Sequence, residues 1–167
     1  MKILLSFLAT ILIINTCYSQ SELVDYKIDN KVSVKLSMQP SKNDENSVYV
    51  KNKDSSVFIV AKFDLYKMAG IDSAQIAAQA PTKEFADSFK NGMLGKMPGT
   101  TMGEVAIGKW KGYISYNMDG GNISKKLKVY AFVFFVGANM YSLLAILPAD
   151  RSTAGKDNFF GSLVLSQ

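Results

Sequence analysis

No histidine occurs in this chain, and its single cysteine is Cys17. Those two facts remove the commonest routes to catalysis. A serine or cysteine nucleophile needs a base beside it, and the imidazole that usually serves is absent. Zinc and iron sites recruit histidine or cysteine and are equally unsupported. Calcium takes oxygen ligands, but Asp44-Glu45-Asn46 lacks the spaced acidic loop that would enclose it. What survives is carboxylate chemistry, as in the two-acid hydrolysis of glycosidic bonds. Asp25, Asp29, Asp64, Asp119 and Asp150 are scattered among turn and polar positions, and no pair stands out. The residues therefore point to a protein that is not an enzyme, with no catalytic residue, metal ligand or cofactor expected.

Two further motifs have bland readings. Gly103 to Lys109 has the glycine and lysine spacing of a phosphate-binding loop, yet Trp110 stands where a hydroxyl residue would hold magnesium. Asn122-Ile123-Ser124 matches an N-glycosylation sequon. Binding has better support than either. Lys109 and Lys111 flank Trp110 on one expected strand, and Lys126 and Lys128 share a face of the next. If those strands pair, four ammonium groups and Tyr113 form a basic, aromatic-edged patch suited to anionic lipid, polysaccharide or an acidic partner. The same lysines also suit a sheet edge guarded against pairing with another chain.

The elements that must position these residues can be read from periodicity. Val32, Val34, Leu36 and Met38 alternate with polar residues as a half-buried strand, stopped by Pro40. Tyr26 and Ile28 precede it across the turn pair Asp29-Asn30, so a hairpin is expected. Residues 41–47 read as a polar loop. A strand follows over Val57–Tyr66, with Val57, Ile59, Ala61, Phe63 and Leu65 on one face. After Gly70, Asp72 and Gln75 have the spacing of a capping box. Pro81 divides a short helix ending near Gln79 from a longer one beginning near Thr82, whose stripe is Phe85, Phe89 and Met93. Trp110, Ile114, Tyr116 and Met118 are expected on one face of a strand that turns at Asp119-Gly120-Gly121.

The stretch Val129–Ala149 contains no Asp, Glu, Lys or Arg and is long enough to cross a bilayer. Its β-branched and aromatic bias, and the turn chemistry of Gly137-Ala138-Asn139, instead predict two strands buried on both faces, Leu127–Val136 and Met140–Leu147. A membrane helix would also carry Asn139 near its centre, at a cost. No integral membrane span is expected in the mature chain. Thr153 or Ser152 then caps a short helix carrying Phe159, Phe160, Leu163 and Val164. Strands, helices, strands and a helix joined by short turns predict an α+β fold, an antiparallel sheet flanked by helices.

Residues 1–19 read as a secretory signal peptide. Lys2 precedes the apolar run Ile3–Ile14, broken only by Ser6 and Thr10, and Cys17 and Ser19 put small residues at positions −3 and −1, which places cleavage before Gln20. The alternative is a lipoprotein signal with Cys17 acylated. Residues 20–167 are then one exported domain without cysteine, periplasmic or extracellular, which leaves nucleic acid an unsuitable partner. Its composition, 48% hydrophobic and 20% charged, is that of a chain with a real core, and the net charge of +5 is a mild excess.

Three segments carry a family likeness: YKIDNKVSVKLSMQP at 26–40, GANMYSLLAIL at 137–147 and KDNFFGSLVLS at 156–166. They resemble the opening hairpin, a central turn and strand, and the closing helix end of the PsbP/Mog-like superfamily, including its exported bacterial DcrB-like and DUF1795-type members. That resemblance implies an α/β/α sandwich and an accessory or binding role through surface contacts with a protein or envelope component. It brings no catalytic residues. An envelope lipid- or small-ligand-binding protein and a carboxylate-based hydrolase are the alternative expectations.

Overall fold

A computed structural model describes residues 23–42 and 44–166. The signal segment, with Cys17 and the cleavage point, lies outside the described residues. The chain opens with a hairpin, β1 (Val24–Lys27) and β2 (Val32–Leu36), paired antiparallel with Tyr26 opposite Val34. Asp29 closes its turn by accepting hydrogen bonds through Oδ1 from the N–H groups of Lys31 and Val32. Next come β3 (Ser41–Lys42), β4 (Ser47–Lys51) and β5 (Val57–Asp64). The expected loop at 41–47 is thus shorter than read, because its first two residues pair with β4.

Three helices follow. The first, α1 (Leu65–Ala69), takes Leu65 and Tyr66 out of the strand expected there. Asp64 caps it by accepting from Lys67 N–H, and Gly70 ends it at φ +70°. The capping box at Asp72 and Gln75 starts α2 (Ser73–Gln79), and Thr82 caps α3 (Lys83–Leu94), both as expected. Ala80, fully buried at the end of α2, is fixed to the sheet where its carbonyl accepts from Tyr116 Oη at 2.5 Å.

The second half adds β6 (Thr101–Met102), β7 (Ala106–Trp110), β8 (Tyr113–Asn122), β9 (Leu127–Val136) and β10 (Asn139–Pro148). The charge-free stretch is therefore a pair of strands, with Phe134 opposite Tyr141. Their turn is tighter than expected, since Asn139 already pairs with Val136 and only Gly137 and Ala138 remain between the strands. The large sheet runs β3-β4-β5-β10-β9-β8, with β6 and β7 both along the outer edge of β8. Among the described residues no helix is long and apolar enough to cross a membrane.

Helix α4 (Ala154–Gly161) ends earlier than expected, and Leu163 and Val164 leave it. The chain then extends as β11 (Val164–Leu165), which pairs with β2 to make a three-stranded sheet, β1-β2-β11. This small sheet and α4 share one layer over the large sheet, burying Val32, Val34, Leu36 and Phe159 against Phe132, Phe134, Tyr141 and Leu143. On the other face, Phe85, Phe89 and Met93 of α3 and Ile76 of α2 cover Tyr116, Val133 and Phe135. Strand β9 is apolar on both sides because both sides are core.

Asp119-Gly120-Gly121 is not a turn. It lies inside β8, and the chain reverses later, at residues 123–126. The glycines serve close approach instead: a Cβ on Gly120 would stand 2.0 Å from the Thr101 carbonyl oxygen, and one on Gly121 2.6 Å from that of Leu127. Both obstacles are backbone, so neither can step aside cheaply. Gly120→Ala is expected to cost at least about 2 kcal/mol in urea unfolding. Gly92→Ala, inside α3 with nothing within 4 Å, should be neutral or stabilising by up to about 1 kcal/mol. Equal effects at the two sites would contradict this reading.

Candidate contact surface

Register brings four connections to one end of the sandwich. Trp110 opposite Tyr113 leaves Lys111-Gly112 as the β7–β8 turn, and Val136 opposite Asn139 leaves Gly137-Ala138 as the β9–β10 turn. Asp64, opposite Asn139, passes directly into α1, whose Leu65 N–H donates to Ala138 O at 2.9 Å. The β1–β2 turn reaches the same end, because Tyr141 Oη donates to Asp29 Oδ2 at 2.6 Å. Lys111 and Gly112 both have positive φ, +49° and +87°, as a two-residue hairpin turn requires. A lysine in that left-handed region is uncommon.

Between these turns lies an open groove of about 620 Å³, lined by Lys31, Lys111, Tyr113, Val136, Leu165 and Ser166. Its charged lining among the described residues is two lysines. The Lys111 ammonium stands 5.0 Å from the centre of the Trp110 ring, which itself packs edge-on against Phe132 and at 4.8 Å from Phe134. The indole thus joins the groove to the core and holds the cation at its lip.

The expected patch of six residues divides. Lys111 and Tyr113 line the groove, with the Trp110 ring against the Lys111 ammonium. Strand alternation turns Lys109 to the opposite face of β7 from Trp110. Lys128 pairs with Gly121 at the other end of β8, about 25 Å away along the strand. Lys126 sits beside it in the β8–β9 turn at φ +52°. Trp110 likewise does not share a strand or a face with Ile114, Tyr116 and Met118. It faces the small sheet, and they face the helices. Lys31, 80 positions before Lys111 in the chain, was not legible as a member of the groove.

Beside the groove, Asp29 joins Lys62 and Tyr141. Lys62 Nζ lies 2.6 Å from Asp29 Oδ2 and 5.7 Å from the Tyr141 ring centre. Burial alone would raise the Asp29 pKa, but hydrogen bonds from Lys62, Tyr141 and the N–H groups of Lys31 and Val32 outweigh it and hold the carboxyl well below the ordinary range. Burial, and then the Asp29 carboxylate, pushes the Tyr141 phenol up. Lys62 also lines a second open groove, about 540 Å³, with Tyr26, Ile28, Pro40, Lys42 and Val60 among its walls. With both Asp29 oxygens accepting two donors each, this cluster fastens the β1–β2 turn to the sheet. The one signal for it was Lys62, a charge between Ala61 and Phe63 inside β5.

The remaining motifs take structural places. Asp64 is a helix cap, Asp25 and Asp119 lie on β1 and β8, and Asp150 follows β10. Lys109 and Gly108 stand in strand β7, with no helix opening behind them. Asn122 of the sequon is only 3% exposed; its amide donates to Pro98 O and its oxygen accepts from Ser124 Oγ and Lys125 N–H. Among the described residues no group of three or more acidic or cysteine side chains gathers as a metal would need.

No protein-family model matches the chain, and no curated protein matches it by sequence. Solved structures do match. CyanoP, the cyanobacterial PsbP of Synechocystis sp. PCC 6803, aligns with a TM-score of 0.56 and 12% identity, over 90% of this chain and 96% of its own. A Bacteroides thetaiotaomicron protein aligns over 89% of this chain at a TM-score of 0.49 and 10% identity, and the chain spans 49% of its length. A Pseudomonas aeruginosa protein of unknown function gives a TM-score of 0.41 and 12% identity, over 77% of this chain and 85% of its own. At such identity the likeness to CyanoP is one of fold.

Proposed function

From a PsbP-like α+β fold with a cationic groove at one end, we propose that this is a small exported accessory or binding protein. It works by surface contact with an anionic partner and not by catalysis. The observation that carries the reading is the groove itself, where Lys31 and Lys111 stand over Tyr113, Val136 and Leu165 with no acidic residue among the described lining. Apolar walls with cations at the rim recognise an anion that has an organic body. Against hydrolysis stands the saturation of Asp29, whose four donors leave it neither a proton to give nor a free lone pair to take one. Export rests on the amino-terminal segment, with cleavage before Gln20 preferred to acylation at Cys17. The exported bacterial DUF1795-type and Mog-like relationship rests on the three motifs at 26–40, 137–147 and 156–166.

Trp110 is the only tryptophan, so its fluorescence reports the groove. Titration with poly-glutamate at low salt is expected to give a saturable change that weakens as salt is added. Replacing Lys31 and Lys111 together by Glu should weaken binding by about tenfold or more, while the same change at Lys126 and Lys128 leaves it intact. Equal loss from both pairs would reduce the groove to general surface charge and overturn the assignment.

A further inference from the structure

Resting on that reading of an anionic partner, we propose that the partner is an anionic membrane surface, met by the whole turn-bearing end of the sandwich. The groove lies on the small-sheet side of that end, where Lys31 and Leu165 line it. Across the β9–β10 turn stands α1, joined to it by the Leu65–Ala138 hydrogen bond, while Val136 on the near side of the same turn lines the groove. Helix α1 holds Leu65 against the helix-side core and presents Tyr66 and Met68 outward, each 62% exposed. Tyr113 is 37% exposed at the groove. Single exposed apolar side chains are ordinary, and Ile123 at the opposite end is 90% exposed. What sets Tyr66, Met68 and Tyr113 apart is that they share one end with Lys31 and Lys111.

Their companions are cations. Lys67 lies between Tyr66 and Met68, and Lys31 and Lys111 stand across the turn. Of the carboxylates at this end, Asp29 is engaged by Lys62 and Tyr141, and Asp64 by the Lys67 N–H it caps, with Lys67 Nζ 3.7 Å away. Asp44 and Glu45 stand apart from Lys31 and Lys111, beside Lys62 in the second groove. Tyrosines at headgroup depth, a methionine among the upper acyl carbons and lysines on phosphates form the composition of an interfacial attachment. Short α1 follows β5 directly, and none of its residues lines the groove. That geometry suits a fluid surface, into which separate side chains dip independently. Each lysine near an anionic leaflet is expected to strengthen attachment roughly fivefold; with Lys67 offset by Asp64, Lys31 and Lys111 together contribute on the order of twenty-fivefold.

The chain beginning at Gln20 is the one to test, since it keeps every described residue and leaves out Cys17 and any lipid it could carry. Co-sedimentation compares vesicles of phosphatidylglycerol and phosphatidylcholine with vesicles of phosphatidylcholine alone. Binding is expected only to the first. Replacing Tyr66 and Met68 together by Ser should reduce vesicle binding at least about tenfold and leave poly-glutamate binding unchanged. Both positions are exposed, so folding is not at stake. Poly-glutamate binding without vesicle binding would overturn the membrane inference and keep the groove, pointing to a soluble acidic partner. Loss of both would overturn the groove reading as well. Vesicle binding that ignores Tyr66, Met68, Lys31 and Lys111 would place the attachment elsewhere and overturn the inference.

Discussion

Phe134→Asp is expected to abolish folding at room temperature. Phe134 is fully buried in a central strand, facing the small sheet. Its ring stacks on Tyr141 at 4.9 Å with 9° between planes, and meets Trp110 at 4.8 Å and Phe132 at 5.8 Å. An aspartate there loses those contacts and leaves an unpaired charge in the core. The cost of several kcal/mol is comparable with the ~5–15 kcal/mol stability of a whole domain. Phe134→Ala separates the two effects, since it removes the ring without adding charge and should cost about 3–5 kcal/mol. Phe134→Leu should cost less than Phe134→Ala. Urea unfolding followed by Trp110 fluorescence and by circular dichroism measures all three, and the wild type should give a β-rich spectrum without detergent. An Asp variant within about 0.5 kcal/mol of wild type would mean that this face of β9 is not core.

How much of this was legible follows from how local each signal is. Asp72 with Gln75, the helix start near Thr82, and the two arms on either side of Gly137 all rest on neighbours a few residues away, and each appears within about a residue of where the sequence places it. Helix α1 was hidden by its neighbours. The apolar alternation of β5 runs on into Leu65, although Asp64 as a cap and Gly70 as a stop were there to be read. Gly120-Gly121 was misread because the same residue type serves tight turns and close backbone approach, and only the position of Thr101 and Leu127 tells them apart. Strand β11 pairs with β2 across the length of the chain, a contact no local window contains. The groove has the same character. Half of the expected patch reached it through one tight turn, and Lys31 arrived from the opposite layer.

The cluster at Asp29 extends the point, because its three members lie far apart in sequence and its effect is a dependence on pH. Asp29→Asn is expected to lower stability at neutral pH by about 2–3 kcal/mol, by weakening charge-assisted hydrogen bonds and leaving Lys62 without its counter-ion. The carboxyl is 20% exposed and Lys62 32%, enough burial for the pair to count and too little for the full cost of a buried ion. Because the folded pKa is depressed, the unfolded chain takes up the proton first. The contribution is complete above the unfolded value of about 4 and is lost as pH falls through the lower, folded one. The stability difference between wild type and Asp29→Asn should therefore be constant from pH 8 down to about pH 5 and shrink toward pH 2. Tyr141→Phe removes one donor of four and should cost about 1.5–3 kcal/mol. It also lets the folded carboxyl pKa rise, which narrows the acid window. Tyr141 adds an alkaline limit of opposite sign. Burial and the Asp29 charge raise its pKa, so the stability it contributes is present below about pH 10 and declines above it. Urea midpoints measured across pH for the three proteins test both limits. Parallel curves throughout the acid range would show that Asp29 gains nothing from Lys62 and Tyr141. The β1–β2 turn would then be held to the sheet by apolar packing, that of Ile28, Val32 and Val34 among it.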